Sequence, residues 1–83
     1  MFTVYSKPAC VYCDRAKSLL TVKGLPFEVV NLDVGQPKEE GAKYISRDEL
    51  LARIPNARTM PQIMKNDELI GGFTELREML DAS

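Results

Sequence analysis

The first 32 residues carry a strand, a helix and a second strand in direct succession, and this succession restricts the possible folds. Residues 1–5 alternate and are rich in Phe, Val and Tyr, which is typical of a short strand. Apolar residues recur at helical spacing over residues 11–23, and Gly24 ends the predicted helix. The β-branched run over residues 27–32 predicts a second strand. A helix joining two strands of one sheet makes them parallel, so a βαβ unit is expected.

The middle of the chain predicts a connection and a short helix. Residues 33–44 contain two glycines, a proline and a Lys-Glu-Glu run, so we expect a solvated connection without function. Ser46 and Glu49 fit a capping box, in which the hydroxyl and the carboxylate accept from free backbone amides. The predicted helix covers residues 46–54.

The last third of the chain predicts a hairpin and a helix. Residues 61–65 and 68–70 flank Asn66-Asp67, a turn pair, and predict two antiparallel strands. Gly71-Gly72 precedes a helix over residues 74–80, whose expected buried stripe is Leu76, Met79 and Leu80. The predicted order is β-α-β-α-β-β-α, an α/β thioredoxin-like fold with a four-stranded mixed sheet flanked by helices.

Size and charge narrow the class of protein. Eighty-three residues suffice for one domain, expected to cover residues 1–83, and the net charge of −1 gives no reason to expect binding to nucleic acid or to a membrane surface. There is no apolar run of the roughly 18 residues that span a bilayer, and the first residues do not resemble a signal peptide. A single cysteine pair is unlike the disulfide framework of secreted mini-proteins. We expect a cytoplasmic monomer.

The two cysteines, Cys10 and Cys13, lie where the first predicted helix begins. Free amides and the positive end of the helix dipole favour a thiolate over a thiol at that position. Cys13 follows three residues later, close enough to attack a mixed disulfide formed on Cys10. The spacing predicts thiol–disulfide redox chemistry.

The sequence gives less support to other roles of the cysteine pair, and one of these roles stays open. Closing so short a loop gives a structural disulfide only about 2 kcal/mol in the loop-entropy account. A structural zinc site needs four ligands, whereas this chain has no His and no third Cys. A metal or iron–sulfur site shared by two chains remains an alternative.

Three motifs in a fixed order resemble the glutaredoxin family. They are Cys-Val-Tyr-Cys after the first strand, Thr59-Met60-Pro61-Gln62 before the hairpin and Gly71-Gly72-Phe73-Thr74 before the last helix. The resemblance covers essentially the whole chain and is greatest with the small glutaredoxins of T-even-type bacteriophages. It suggests a phage origin and, with it, the host cytoplasm.

The resemblance implies a role for each matching residue. Cys10 is the nucleophile, Cys13 is the resolving thiol, and Pro61 is a cis-proline that turns the Met60 backbone toward a thiol peptide. Glutathione is the implied co-substrate, and no metal is required. The implied glutathione-binding residues are Lys7, Tyr12, Thr59, Met60, Pro61, Phe73, Thr74 and Glu75. Among them, Glu75 is expected to meet the amino group of the ligand.

The sequence departs from the family pattern at three positions. Val11 replaces a proline that is common between the cysteines, and Met60 replaces a frequent valine. Asp48, with Arg47 beside it, occupies the place of a Gln or Arg that reaches the glycine carboxylate of glutathione in many relatives. Asp48 predicts weaker glutathione binding and Met60 a looser peptide slot, while Val11 predicts a less rigid helix start, so that the redox potential of the relatives does not carry over.

The sequence therefore predicts a dithiol glutaredoxin that reduces protein disulfides and glutathione mixed disulfides, with ribonucleotide reductase as the partner that the resemblance suggests. Two alternatives stay open. One is a redoxin reduced by thioredoxin reductase, and the other is a glutathione-linked iron–sulfur cluster carrier.

Overall fold

The structure, a computed structural model, describes residues 1–82. Its strands are β1 (Phe2–Ser6), β2 (Phe27–Leu32), β3 (Lys43–Ile45), β4 (Gln62–Lys65) and β5 (Glu68–Gly71). Its helices are α1 (Val11–Val22), α2 (Arg47–Arg53) and α3 (Phe73–Asp81). Among the helices of residues 1–82, none has the length and apolar character to cross a membrane.

The strands form one mixed sheet in the order β3-β2-β1-β4-β5. As predicted, β1 and β2 are parallel, and β4 and β5 form an antiparallel hairpin around Asn66-Asp67. The described sheet has five strands, so the prediction of four was wrong. The additional strand, Lys43–Ile45, lies at the end of the connection predicted to be solvated and pairs in parallel with β2. Three residues beginning with a lysine carry too little alternation to indicate a strand, and the free edge of β2 provides the hydrogen bonds.

The rest of the connection is held by local polar contacts. Asp33 Oδ1 accepts from Lys38 Nζ at 2.8 Å and from the Gly35 amide at 3.0 Å. These two hydrogen bonds, that of Lys38 first, lower the pKa of the Asp33 carboxyl. The connection is therefore an ordered turn on the surface.

Successive side chains of β1 point to opposite faces of the sheet, so the core has two parts. Val4 faces α1 and α3, where the buried cluster consists of Phe2, Val4, Ala16, Leu20, Ile63 and Leu76. Tyr5 faces α2 and belongs to a cluster with Ile45, Leu50 and Ile54. In the predicted stripe of α3, Leu76 is fully buried, while Met79 and Leu80 pack against the first cluster from its edge. The sheet is thus covered on both faces, which fixes the carboxyl end of β1.

The N-terminus of α2 is capped by Ser46, as predicted, but the reciprocal contact differs. Ser46 Oγ accepts from the Glu49 amide at 3.1 Å. The Glu49 carboxylate accepts from the Ser46 hydroxyl at 3.2 Å, not from a backbone amide as the capping box predicts. The hydroxyl is shared between the two groups of Glu49, so Ser46 is the residue that defines the start of α2.

We expect Ser46→Ala to destabilise the protein by about 1 kcal/mol, because the Glu49 amide loses its acceptor. Urea denaturation followed by circular dichroism measures the change in the free energy of unfolding. Ser46→Asn, which keeps an acceptor at the cap, should retain most of the stability. Equal losses in the two variants would show that the cap hydrogen bond is not responsible.

Candidate active site

Cys10 lies at the junction between the loop that follows β1 and the first turn of α1. It is the N-cap residue, with an extended backbone (φ −115°, ψ 104°), and its Sγ accepts from the Cys13 amide at 3.2 Å. The sulfur therefore occupies the position in which a cap oxygen satisfies a free helix amide. A negative charge on this sulfur is stabilised by that hydrogen bond and by the helix dipole.

Cys10 and Cys13 form a disulfide, with their Cα atoms 5.2 Å apart. The two residues differ in accessibility, since Cys10 retains 9% of its surface and Cys13 retains none. A substrate reaching the pair from solvent therefore meets Cys10 first. This asymmetry agrees with an attacking role for Cys10 and a resolving role for Cys13.

The loop before β4 lies against the disulfide. The Met60–Pro61 peptide bond is cis, which confirms the predicted isomer, and the Met60 carbonyl oxygen lies 3.7 Å from Cys10 Sγ. Gln62 Nε2 donates to the Thr59 carbonyl at 2.7 Å. This hydrogen bond joins the first residue of β4 to the residue before Met60. The backbone of Met60 is thus presented beside the reactive sulfur.

The N-terminus of α3 forms the third side of the site. Its N-cap is Gly72, whose amide donates to Glu75 Oε1 at 2.9 Å. Gly71 has φ +127°, and a Cβ there would lie 2.8 Å from the same carboxylate oxygen. The Gly-Gly pair thus allows the chain to turn tightly and leaves room for the capping carboxylate. Prediction had not assigned Glu75 this contact with the helix start.

One open groove of about 240 Å³ joins these elements. Its lining residues are Tyr12, Thr59, Met60, Pro61, Gly72, Phe73, Thr74 and Glu75. The groove therefore brings together every predicted glutathione-binding residue except Lys7. Gly72 was not among the predicted binding residues, although the Gly-Gly motif marks its position.

Lys7 lines a second groove, of about 720 Å³, together with Asp14 and Lys17. It is exposed and stands on the loop that precedes Cys10. Arg47 and Asp48, at the start of α2, line neither groove. Neither residue therefore contributes to the smaller groove, and the weaker glutathione binding implied by Asp48 stays a prediction.

Two arginines beside the site were not predicted as site residues. The Arg15 guanidinium lies over the Tyr12 ring and the Arg77 guanidinium over the Phe73 ring. The sequence signal was their spacing, since an arginine three or four residues after an aromatic residue lies on the same helix face. Within residues 1–82, there is no group of three or more His, Cys, Asp or Glu side chains that is placed to hold a metal ion.

A mixed sheet with a cysteine pair at the start of its first helix and a cis-proline beside it defines a thiol–disulfide oxidoreductase of the thioredoxin-like fold. The glutaredoxin family profile matches residues 2–70. The chain belongs to the glutaredoxin family, which confirms the resemblance seen in the sequence.

Individual relatives agree with this assignment. Glutaredoxin of Enterobacteria phage T4 is 41% identical over 87 aligned positions, covering 94% of this chain and 97% of the phage protein. Glutaredoxin 3 of Escherichia coli K12 is 36% identical, covering 88% of this chain and 77% of its own length.

Solved structures show the same fold. The holo form of glutaredoxin C1 from Populus tremula x tremuloides superimposes with a TM-score of 0.72 at 31% identity, covering 98% of this chain and 68% of the poplar chain. A buckwheat glutaredoxin–glutathione complex has the same TM-score at 26% identity, with the same coverage.

In the reduced protein, we expect limiting iodoacetamide to alkylate Cys10 before Cys13, because Cys13 is fully buried and Cys10 caps the helix. Peptide mass mapping after partial reaction measures the ratio. The rate of alkylation should also reach its plateau at a lower pH than that of free cysteine. Preferential labelling of Cys13 would contradict the assigned order of attack.

Proposed function

We propose that the protein is a glutathione-dependent dithiol glutaredoxin that reduces protein disulfides and glutathione mixed disulfides. The observation that carries the proposal is the Cys10–Cys13 disulfide at the N-terminus of α1, opening beside the groove between the cis-proline loop and α3. The buckwheat relative was solved with glutathione. Glutathione is the proposed co-substrate of this chain.

The first half of the cycle oxidises the protein. The Cys10 thiolate attacks one sulfur of the substrate disulfide, forms a mixed disulfide and releases the other substrate sulfur as a thiolate, which takes up a proton. The Cys13 thiol loses its proton and attacks Cys10 Sγ, which releases the second substrate sulfur. Two electrons pass to the substrate and the Cys10–Cys13 disulfide forms.

The second half restores the dithiol. One glutathione thiolate attacks Cys10 Sγ, so that Cys13 leaves as a thiolate and takes up a proton. A second glutathione then attacks the sulfur of the bound glutathione and releases glutathione disulfide. Two electrons from two glutathione molecules thus balance the cycle.

The groove suggests how glutathione is oriented. The Met60 backbone pairs with the extended peptide next to Cys10 Sγ, and the amides of Phe73, Thr74 and Glu75 donate to the γ-glutamyl carboxylate at the start of α3. The Glu75 carboxylate, already at this end of the groove, is the proposed partner of the glutathione ammonium. Lys7, exposed on the loop before Cys10, is the proposed partner of the glycine carboxylate.

The remaining parts of the proposal follow from the resemblance seen in the sequence, and the similarity to the phage T4 protein agrees with its phage element. Ribonucleotide reductase is the proposed protein substrate, the host cytoplasm the proposed location, and a monomer the proposed state.

Serine substitutions separate the roles of the two cysteines. We expect Cys10→Ser to abolish all thiol exchange, because Cys13 is buried and lies beyond the helix cap. We expect Cys13→Ser to keep the removal of glutathione from a mixed disulfide and to lose most reduction of protein disulfides, which needs the intramolecular attack. Coupled assays with glutathione and glutathione reductase measure both activities.

The same pair of variants tests the redoxin alternative and the assigned roles of the two cysteines. A redoxin without a glutathione site would lose both activities in either variant. An active Cys10→Ser together with an inactive Cys13→Ser would reverse the assigned roles.

We expect Glu75→Gln to raise the KM for glutathione about threefold, because the amide keeps an acceptor for Gly72 but loses the charge that meets the ligand ammonium. Glu78→Gln is the matched control, since it removes the same charge from the same helix outside the groove. Steady-state kinetics with varied glutathione measures both constants. Equal changes in the two variants would remove Glu75 from the proposed site.

A further inference from the structure

A strip of alternating charge and aromatic surface extends from the cysteine pair across α1 and α3. It consists of Arg15, Tyr12, Phe73 and Arg77, and we refer to it as the arginine–aromatic strip. The Arg15 Cζ atom lies 5.3 Å from the centre of the Tyr12 ring, and the Arg77 Cζ atom lies 5.9 Å from that of the Phe73 ring. The two ring centres are 6.0 Å apart, which joins the two helices into one surface.

The strip is accessible and adjacent to the chemistry. Tyr12, which separates the two cysteines in sequence, is 54% exposed, and both arginines are exposed. Phe73 is half-buried and contributes the wall shared with the groove. Tyrosine, phenylalanine and arginine are the side chains enriched at protein interfaces. A polypeptide lying on the strip therefore has its own sulfur within reach of Cys10.

The arginines of the strip are available for ion pairs with a partner. Neither Arg15 nor Arg77 takes part in an ion pair among residues 1–82. Two carboxylates of the same helices have other partners, since Asp14 pairs with Lys17 at 3.3 Å and Glu75 accepts from a backbone amide. Both guanidinium groups are therefore available to the carboxylates of a partner.

The contacts with aromatic rings also orient the two guanidinium groups for binding to an anionic partner. A guanidinium stacked over an aromatic ring is oriented and partly desolvated, and its N–H groups can still bind a carboxylate in a bidentate manner. Arg15 and Arg77 do not line the groove, so the strip extends beyond the glutathione site at both ends. A ligand that contacts both arginines therefore contacts surface outside the groove proposed for glutathione.

We propose that the arginine–aromatic strip is the docking surface for protein substrates, and that it selects disulfides flanked by Asp or Glu. The proposal rests on the proposed function, because it names the class of polypeptide whose disulfide Cys10 attacks. Carboxylates of the segment bind Arg15 and Arg77, while its apolar groups lie on Tyr12 and Phe73. Complementary charge at such an exposed site acts mainly on the association rate and on the choice of partner.

Two synthetic peptides test the proposal. Each contains an intramolecular disulfide, and the positions flanking its cysteines are Glu in one peptide and Gln in the other. The quantity measured is the ratio of kcat/KM for the Glu peptide to that for the Gln peptide, with glutathione and glutathione reductase in excess. We expect a ratio of about five for the wild type at low ionic strength, decreasing as salt is added.

The double variant Arg15→Gln/Arg77→Gln should bring this ratio close to one, and each single variant should give an intermediate value. The matched control is Lys23→Gln/Lys65→Gln, which removes two positive charges at the end of the sheet remote from Cys10 and should keep the preference. Alkylation of Cys10 in each variant checks that the site is intact.

Three results would overturn the proposal. They are a wild-type ratio near one at low salt, a preference that persists in the double arginine variant, and a preference lost equally in the lysine control, which would indicate long-range charge. Failure of the wild type to reduce either peptide would instead overturn the proposed function, and the docking proposal with it.

Discussion

The pairing of β1 at the centre of the sheet determines where every part of the site lies. β1 pairs with β2 on one side and with β4 on the other, and its two faces are buried by different helices. Gln62 stands opposite Tyr5 in the antiparallel pair, so Met60 and Pro61 pass the carboxyl end of β1. Cys10 begins α1 at that same end. A slip of one residue in this register would exchange the two faces of β4 and move the cis-proline loop away from the sulfur.

Strong local signals made most of the fold predictable from the sequence. The β2 strand has the predicted bounds, Phe27–Leu32, and α1 ends within one residue of its predicted end because Gly24 supplies the stop, with φ +69°. The strand that was missed, Lys43–Ile45, is formed by a neighbour that the sequence does not reveal, the open edge of β2. The Ser46 cap was predictable as a residue type, whereas the hydrogen bond made by the Glu49 carboxylate depends on its rotamer.

The parts of the site that depend on neighbours in sequence were predictable from the residues, whereas the contacts between distant segments were not. Cys10 was assigned from its place at a helix start alone, but the neighbours of its sulfur came from resemblance to a family, because they lie on loops distant in sequence. Lys7 is the transferred residue that the structure places outside the smaller groove, so its proposed contact with the glycine carboxylate would be made from the loop before Cys10. The stacking of Arg15 and Arg77 on aromatic rings follows from helical spacing, yet the contact between the two rings requires α1 and α3 to be neighbours.

The small volume of the groove limits how much of a ligand it can enclose. Its volume of about 240 Å³ is below the roughly 300–1,000 Å³ of pockets that enclose small molecules. In the proposed binding mode, a ligand is held across an open surface, chiefly by the Met60 backbone and the amides of α3, which bind the backbone of a peptide and not its side chains. Such a site accepts any accessible disulfide on an extended segment. In this binding mode, discrimination between proteins comes from side chains beyond the groove, and the exposed surface around Tyr12, which stands between the two cysteines in sequence, is the proposed source of it.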